Sequence, residues 1–107
     1  MNRAVEPPPA SSGRGSCQGL YAVKPRVLLE RLNAGHLQNV RFDDLLRLIR
    51  AFGFELNRIS GSHHILSRPG VPSLLSLQEV QGCAKPYQIR QFLLLVETYN
   101  LEMEEPR

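Results

Sequence analysis

Three segments of the chain carry apolar residues at the three- and four-residue spacing of a helix that buries one face. Two of them open on a proline, Pro25 or Pro86, which suits the first turn of a helix because an N–H at that position has no partner within the helix. The third opens on Asp43 and Asp44, which favour the N-terminus by capping and through the helix dipole, and closes at Gly53. The predicted helices cover 25–34, 43–52 and 86–99.

Between the second and third helices the pattern changes to the alternation that is typical of strands. Apolar and polar residues alternate from Phe54, and turns are favoured at Ser60-Gly61 and over the loop 68–72. The predicted strands cover 54–59, 62–67 and 73–77. Because Ile65 and Leu66 are adjacent and both apolar, the pattern leaves open which face of the second strand meets the core.

The order of these elements predicts an α+β fold, with two helices on one face of a three-stranded antiparallel sheet and a short additional helix in front. One core is expected from 107 residues. The start of the chain is rich in Pro, Gly and Ser and has little to bury. We therefore predict a disordered tail over 1–24, a helical lead-in over 25–40, the domain itself over 41–101 and an acidic tail over 102–107.

Composition narrows the classes of function. The sequence has no apolar run near the roughly 20 residues that cross a bilayer and no secretory signal at its start, so we expect a cytoplasmic protein. Cys17 and Cys83 show neither metal-ligand spacing nor a disulfide framework and are expected to be reduced thiols. The net charge of +3 arises in residues 1–40, while 41–107 carry equal numbers of acidic and basic residues. Only a local basic surface could therefore argue for nucleic-acid binding.

The run GFELNRISGSHHIL, the Pro-containing hairpin after it and the run KPYQIRQFL resemble the HicA toxins, which are also described as YcfA-like RNA-binding proteins. The resemblance covers about 42–101. It implies a fold like the double-stranded-RNA-binding domain, cleavage of messenger RNA and a HicB-like antitoxin as partner. It also implies that His64 matches the catalytic histidine of the family, whereas His63 falls at a variable position. Residues 1–40 lie outside the family pattern. The short, rigid hairpin over 68–72 and the apolar strand 73–77, which replaces the usual polar strand, also depart from it, and both bear on substrate preference and on the fit of an antitoxin.

The two histidines also make chemical sense without the family. RNA carries its own nucleophile, the 2′-hydroxyl, so its cleavage needs a base, an acid and donors for the phosphate, and no metal or other cofactor. A histidine, with a pKa of about 6.5, suits both proton-transfer roles. Neighbouring side chains on a strand point to opposite faces, so only one of His63 and His64 should be catalytic. Ser62 would share a strand face with His64, which keeps a serine nucleophile as an alternative, although no orienting carboxylate or oxyanion motif accompanies it.

Basic and aromatic residues near this segment are candidates for holding RNA. Arginine offers forked donors to a phosphodiester, and Tyr87 could stack on a base. Each candidate also has a purely structural interpretation. A loop Arg or Lys is often only a solvated charge, and His64 could be a histidine whose hydrogen bonds are satisfied within the sheet. The predicted RNA-binding residues are Arg58, Ser62, His63, Arg68, Lys85, Tyr87 and Arg90.

Three hypotheses follow. The first is a metal-independent endoribonuclease toxin with His64 as general acid or base. The second is a non-catalytic RNA-binding module of the same fold. The third is a protein-interaction domain, because Leu94 and Leu95 widen the apolar stripe of the last helix and predict a surface for a partner or for a second copy of the chain.

Overall fold

Helices and strands follow one another in the predicted order. The computed structural model describes Cys17 and residues 22–104. Its elements are α1 (Pro25–Asn33), α2 (Phe42–Ala51), β1 (Glu55–Ser60), β2 (His63–Arg68), β3 (Val71–Val80), β4 (Cys83–Ala84) and α3 (Pro86–Thr98). The α+β class and the helix–β–β–β–helix order are confirmed, and both prolines occupy the first turn of their helices. β3 extends past the predicted strand at both ends.

The sheet is antiparallel, but it has four strands in the order β1-β2-β3-β4 rather than the predicted three. β4 has two residues, which is too short for an alternating pattern to reveal it. Gln81 and Gly82 both have positive φ, 53° and 81°, as a two-residue hairpin turn of the primed type requires. β4 also ties the segment before α2 to the sheet, because the Ala84 N–H donates to the Val40 carbonyl over 2.9 Å.

The core lies between one face of the sheet and the helices. Leu66 on β2 and its neighbours on β3 are buried, which settles the face that the sequence left open, since Ile65 then points to the other side. Phe92 of α3 packs edge-on against Phe52 and Phe54, with ring centroids 5.4 and 6.1 Å apart. The buried apolar residues of α2, α3 and the sheet include Leu45, Leu48, Ile49, Ile89, Leu75 and Leu77.

The lead-in is part of the packed structure. α1 buries Leu28 and Leu32, which join the same core cluster as α2. Asp44 is buried and accepts hydrogen bonds from the Val23 N–H at 3.3 Å and from Arg47, so it fastens the chain before α1 to α2. The predicted capping role is wrong for this residue, because α2 begins at Phe42 without a side-chain cap.

The chain ends of the described region are also attached. Met103 packs against the core and the Glu104 N–H donates to the Ala51 carbonyl over 2.7 Å, so the predicted acidic tail begins as a docked segment. Residues 105–107, and most of the predicted tail over 1–24, lie outside the described residues. Within the described part of the chain, none of the helices is long and apolar enough to cross a membrane.

The prediction that both cysteines are reduced thiols is wrong for this structure, in which Cys17 and Cys83 form a disulfide. Their Cα atoms lie 5.3 Å apart although the residues are separated by 66 positions. Cys17 is buried against β4. The sequence spacing could not show this, because only the folded chain brings the first segment beside β4.

Breaking this disulfide should lower the free energy of unfolding by about 4 kcal/mol, because the closed loop restricts the unfolded chain. Urea unfolding of the wild type with and without a reductant measures the change. Cys17→Ser, Cys83→Ser and the double variant should all match the reduced wild type and should not respond to reductant. A wild-type free energy of unfolding that does not change on addition of reductant would contradict the expectation.

Candidate functional site

A tight turn places the two histidines at the start of β2. The loop between β1 and β2 consists of Gly61 and Ser62, and Gly61 has a φ of 62°, the left-handed region that a glycine adopts without strain. β2 then begins at His63, which is exposed, while His64 is half-buried. Strand alternation therefore sends His64 toward the helices and His63 to the opposite, solvent-facing side.

His64 sits at the rim of the core. It pairs with Ile59 on one side and with Leu77 on the other, and Ile59 is largely exposed whereas Leu77 is fully buried. The Phe42 ring, from the first turn of α2, meets the imidazole edge-on at a centroid distance of 4.7 Å and an angle of 62°. The ring is therefore held in place at the boundary between the core and solvent.

One nitrogen of this ring is unusual. Nδ1 of His64 is buried and has no hydrogen-bond partner among the described residues. Buried polar groups are normally paired, since leaving one unpaired costs free energy. The structural interpretation of His64 requires a histidine whose hydrogen bonds are satisfied within the sheet, and the unpaired Nδ1 does not fit it.

Hydrogen bonds join the histidine turn to the start of α3. The Gln78 side-chain amide donates to Ser62 Oγ over 3.3 Å, and the Gln78 backbone N–H donates to Gln88 Oε1 over 2.8 Å. Gln88 in turn contacts the Tyr87 hydroxyl at 3.5 Å, and Lys85 Nζ lies 5.9 Å from the centre of the Tyr87 ring. Lys85 precedes α3 and follows β4, two strands from β2, which is on the order of 10 Å at ordinary strand spacing. Hydrogen bonds through Gln78 therefore link Ser62, two residues before His64, to the first turn of α3, which carries Tyr87 and follows Lys85.

Two predicted RNA-binding arginines lie elsewhere. Arg58 pairs with Ile65, which puts it on the sheet face opposite His64. Arg68 ends β2, about 13 Å along the strand from His64, and its Nε donates to the Phe52 carbonyl over 2.7 Å. The Cβ of any larger residue in place of Gly53, whose φ is 94°, would meet this arginine at 3.0 Å. Arg68 therefore fastens the end of α2 to the sheet.

The remaining candidates lie on the exposed side of α3. Tyr87 and Leu94 are 53% and 60% exposed, and Arg90 is exposed between them. Their three- and four-residue spacing puts them along one stripe of the helix surface. The apolar excess that predicted a partner surface is smaller than expected, because Leu95 packs against the core and only Leu94 is open.

The serine alternative loses its geometric basis. Ser62 belongs to the turn rather than to β2, so the strand alternation that would align it with His64 does not apply. Its hydroxyl accepts a hydrogen bond from the Gln78 side chain. In the part of the chain that the structure describes, no group of three or more His, Cys, Asp or Glu side chains could hold a metal ion.

Sequence reasoning missed two residues of the site. Phe42 falls one residue before the predicted helix 43–52, and nothing in the sequence shows that it meets His64. Gln88 left a usable signal, because the four-residue spacing of Gln88, Phe92 and Val96 places a polar residue on the apolar stripe of α3. A buried amide on such a stripe implies a specific hydrogen-bond partner.

Fold and site together define a small α+β domain that presents one half-buried histidine at the start of a strand, beside a basic and aromatic helix start. Residues 42–94 match the family model described as the HicA toxin of bacterial toxin–antitoxin. This domain belongs to the HicA toxin family, as the resemblance predicted, and the family implies a cognate antitoxin. No curated protein and no solved structure gives a significant match.

Replacing Phe42 with Leu should change the surroundings of His64 and leave His63 alone. An aromatic ring 4.7 Å away shifts the ring-proton NMR signals of His64, and the exposed His63 is an internal control on the same strand. In Phe42→Leu the His64 signals should move toward those of His63, while the free energy of unfolding falls by about 1–2 kcal/mol. His64 signals that stay in place would contradict the contact.

Proposed function

We propose that this chain is an endoribonuclease toxin that cleaves messenger RNA without a metal ion and uses His64 as general acid or base. The observation that supports it most strongly is the imidazole itself, fixed edge-on by Phe42 at the rim of a HicA-family domain with its Nδ1 buried and unpaired. Since Nδ1 is enclosed, Nε2 is the nitrogen that would meet the substrate. A ring held in one orientation suits proton transfer, which needs a base within hydrogen-bond reach of the proton.

The proposed reaction needs few groups from the protein. His64 removes the proton of a 2′-hydroxyl, and the freed oxygen forms a bond to the adjacent phosphorus while the bond from phosphorus to the 5′-oxygen breaks. The departing 5′-oxygen takes up a proton from water and His64 returns its own proton to water, which leaves a 2′,3′-cyclic phosphate and a 5′-hydroxyl. The ammonium group of Lys85 would offset the negative charge that gathers on the phosphate oxygens.

RNA would lie across the rim that carries His64 and along the first turns of α3. Lys85 and Arg90 supply positive charge there, and the half-exposed ring of Tyr87 offers a face for base stacking. Ser62 remains a predicted contact at the turn, whereas His63 points to the sheet face opposite His64 and is left out of the proposed site. Arg58 and Arg68 are left out of the proposed site, because one lies on the other sheet face and the other is engaged by the Phe52 carbonyl.

The proposed partners are messenger RNA in the cytoplasm and a HicB-like antitoxin that covers His64. The exposed stripe of Tyr87, Arg90 and Leu94 borders the site, so an antitoxin could cover both at once. An acidic surface on the antitoxin would complement Lys85 and Arg90. Self-association through the last helix stays a prediction, supported only by the exposure of Leu94.

Changing His64 to Ala should abolish cleavage while RNA binding persists. A positioned acid–base residue contributes about 10²- to 10⁴-fold, so the rate with a labelled RNA should fall by that factor. His63→Ala is the matched control, since it removes the same side chain one position away on the opposite face, and its rate should stay within a few-fold of the wild type. Growth arrest on expression should follow the cleavage rate.

The same pair of variants separates the alternative of a non-catalytic RNA-binding module. Under this alternative the wild-type chain would bind RNA without cleaving it, and His64→Ala would change the RNA affinity little. If the wild type cleaves RNA and His64→Ala cleaves it as well, the role assigned to His64 is wrong.

A salt titration of RNA binding tests the proposed surface. Phosphate contacts release counterions, so affinity should fall as salt rises, and each lost contact should reduce the slope by roughly 0.7 to 1. Lys85→Ala and Arg90→Ala should show this reduction, measured in the His64→Ala background so that the RNA stays intact. Arg58→Ala, an exposed arginine on the other sheet face, is the control and should leave the slope unchanged. Affinity that does not depend on salt would favour a protein-interaction domain instead.

A further inference from the structure

Gln88 occupies a position where an apolar residue would be expected. It is 5% exposed, and its neighbours on the buried face of α3, Ile89 and Phe92, are fully buried. Taking an amide out of water costs free energy unless hydrogen bonds replace the lost water. The presence of a glutamine here therefore calls for a role that a leucine or methionine could not fill.

That role is visible in its bond to β3. β4 pairs with β3 only at Glu79 and Val80, so the sheet ladder on this side stops one residue before Gln78. Gln88 Oε1 accepts the Gln78 backbone N–H at 2.8 Å and continues the hydrogen bonding of the sheet with a side chain. The contact from Gln88 to the Tyr87 hydroxyl is longer, at 3.5 Å. The bond to β3 is therefore the stronger connection.

This bond joins the two halves of the proposed site. On the β3 side, Leu77 pairs with His64, and the Gln78 side chain reaches Ser62. On the α3 side, the first turn follows Lys85 and carries Tyr87. The bond from Gln88 thus sets the spacing between the imidazole and the groups that would hold the RNA.

We infer that Gln88 is a positioning residue for RNA cleavage, because it fixes the first turn of α3 to the strand that flanks His64. The inference rests on the proposed nuclease function. Reacting groups must be held close to their productive geometry, and a displacement of about 1 Å can cost on the order of a hundredfold in rate. A looser connection should therefore lower kcat more than it weakens RNA binding.

Two variants at this position test the hydrogen bond. Gln88→Met keeps the length of the side chain but cannot accept the Gln78 N–H, and its kcat should fall at least about tenfold with a change in KM of less than about threefold. Gln88→Glu keeps an acceptor oxygen and should retain kcat within about threefold of the wild type. Gln91→Met, the same change at an exposed position on α3, is the control and should behave as the wild type. Rates are compared per folded molecule, with the folded fraction taken from circular dichroism.

The outcomes are distinguishable. A folded Gln88→Met that cleaves at the wild-type rate overturns the inference alone, provided that His64→Ala is inactive. A folded Gln88→Glu that has lost its activity also overturns the inference. This second variant keeps the test informative even where Gln88→Met does not fold. A wild-type chain that does not cleave RNA at all overturns the proposed function and the role of Gln88 with it.

Discussion

The alternation of side chains along β2 is the constraint on which the rest of the structure depends. Leu66 must face α2 and α3 because the apolar face of the sheet has to be buried. A strand has a period of two, so His64 is carried to the same side and His63 to the other. A slip of one residue in the pairing would exchange the two histidines and expose Leu66. The register of β2 therefore fixes both the packing of the core and the orientation of the candidate base.

Polar groups at the margins of the core fasten the segments that its apolar contacts leave free. Asp44 holds the chain before α1, Arg68 holds the end of α2, and Gln88 holds the start of α3 to β3. Each uses a buried or half-buried side chain to pair a backbone group that a strand or helix does not pair. These bonds add specificity of arrangement to a core whose apolar contacts are not directional.

The disulfide is not what the proposed cytoplasmic location leads one to expect. Thiols in most cytosols are kept reduced, so a bond between Cys17 and Cys83 would be uncommon there. The bond joins a segment before α1 to β4, and β4 leads directly into Lys85 and α3. The oxidation state of this pair therefore bears on the strand next to the proposed RNA-holding residues, although neither cysteine belongs to the hydrophobic core cluster.

The sequence by itself determined the three helices, three of the four strands and the resemblance to the family. Helical spacing, the prolines at Pro25 and Pro86 and the strand alternation act over a few residues, so they can be recognised locally. The Gly-Ser-His-His step indicated the candidate site. The tertiary structure alone decided that Phe42 meets His64, that Gln88 binds β3, that Arg58 and Arg68 lie away from the histidine, and that Cys17 reaches Cys83. Each of these is a meeting of residues distant in the chain. Such contacts depend on how the faces of separate elements pack, which a local pattern does not encode.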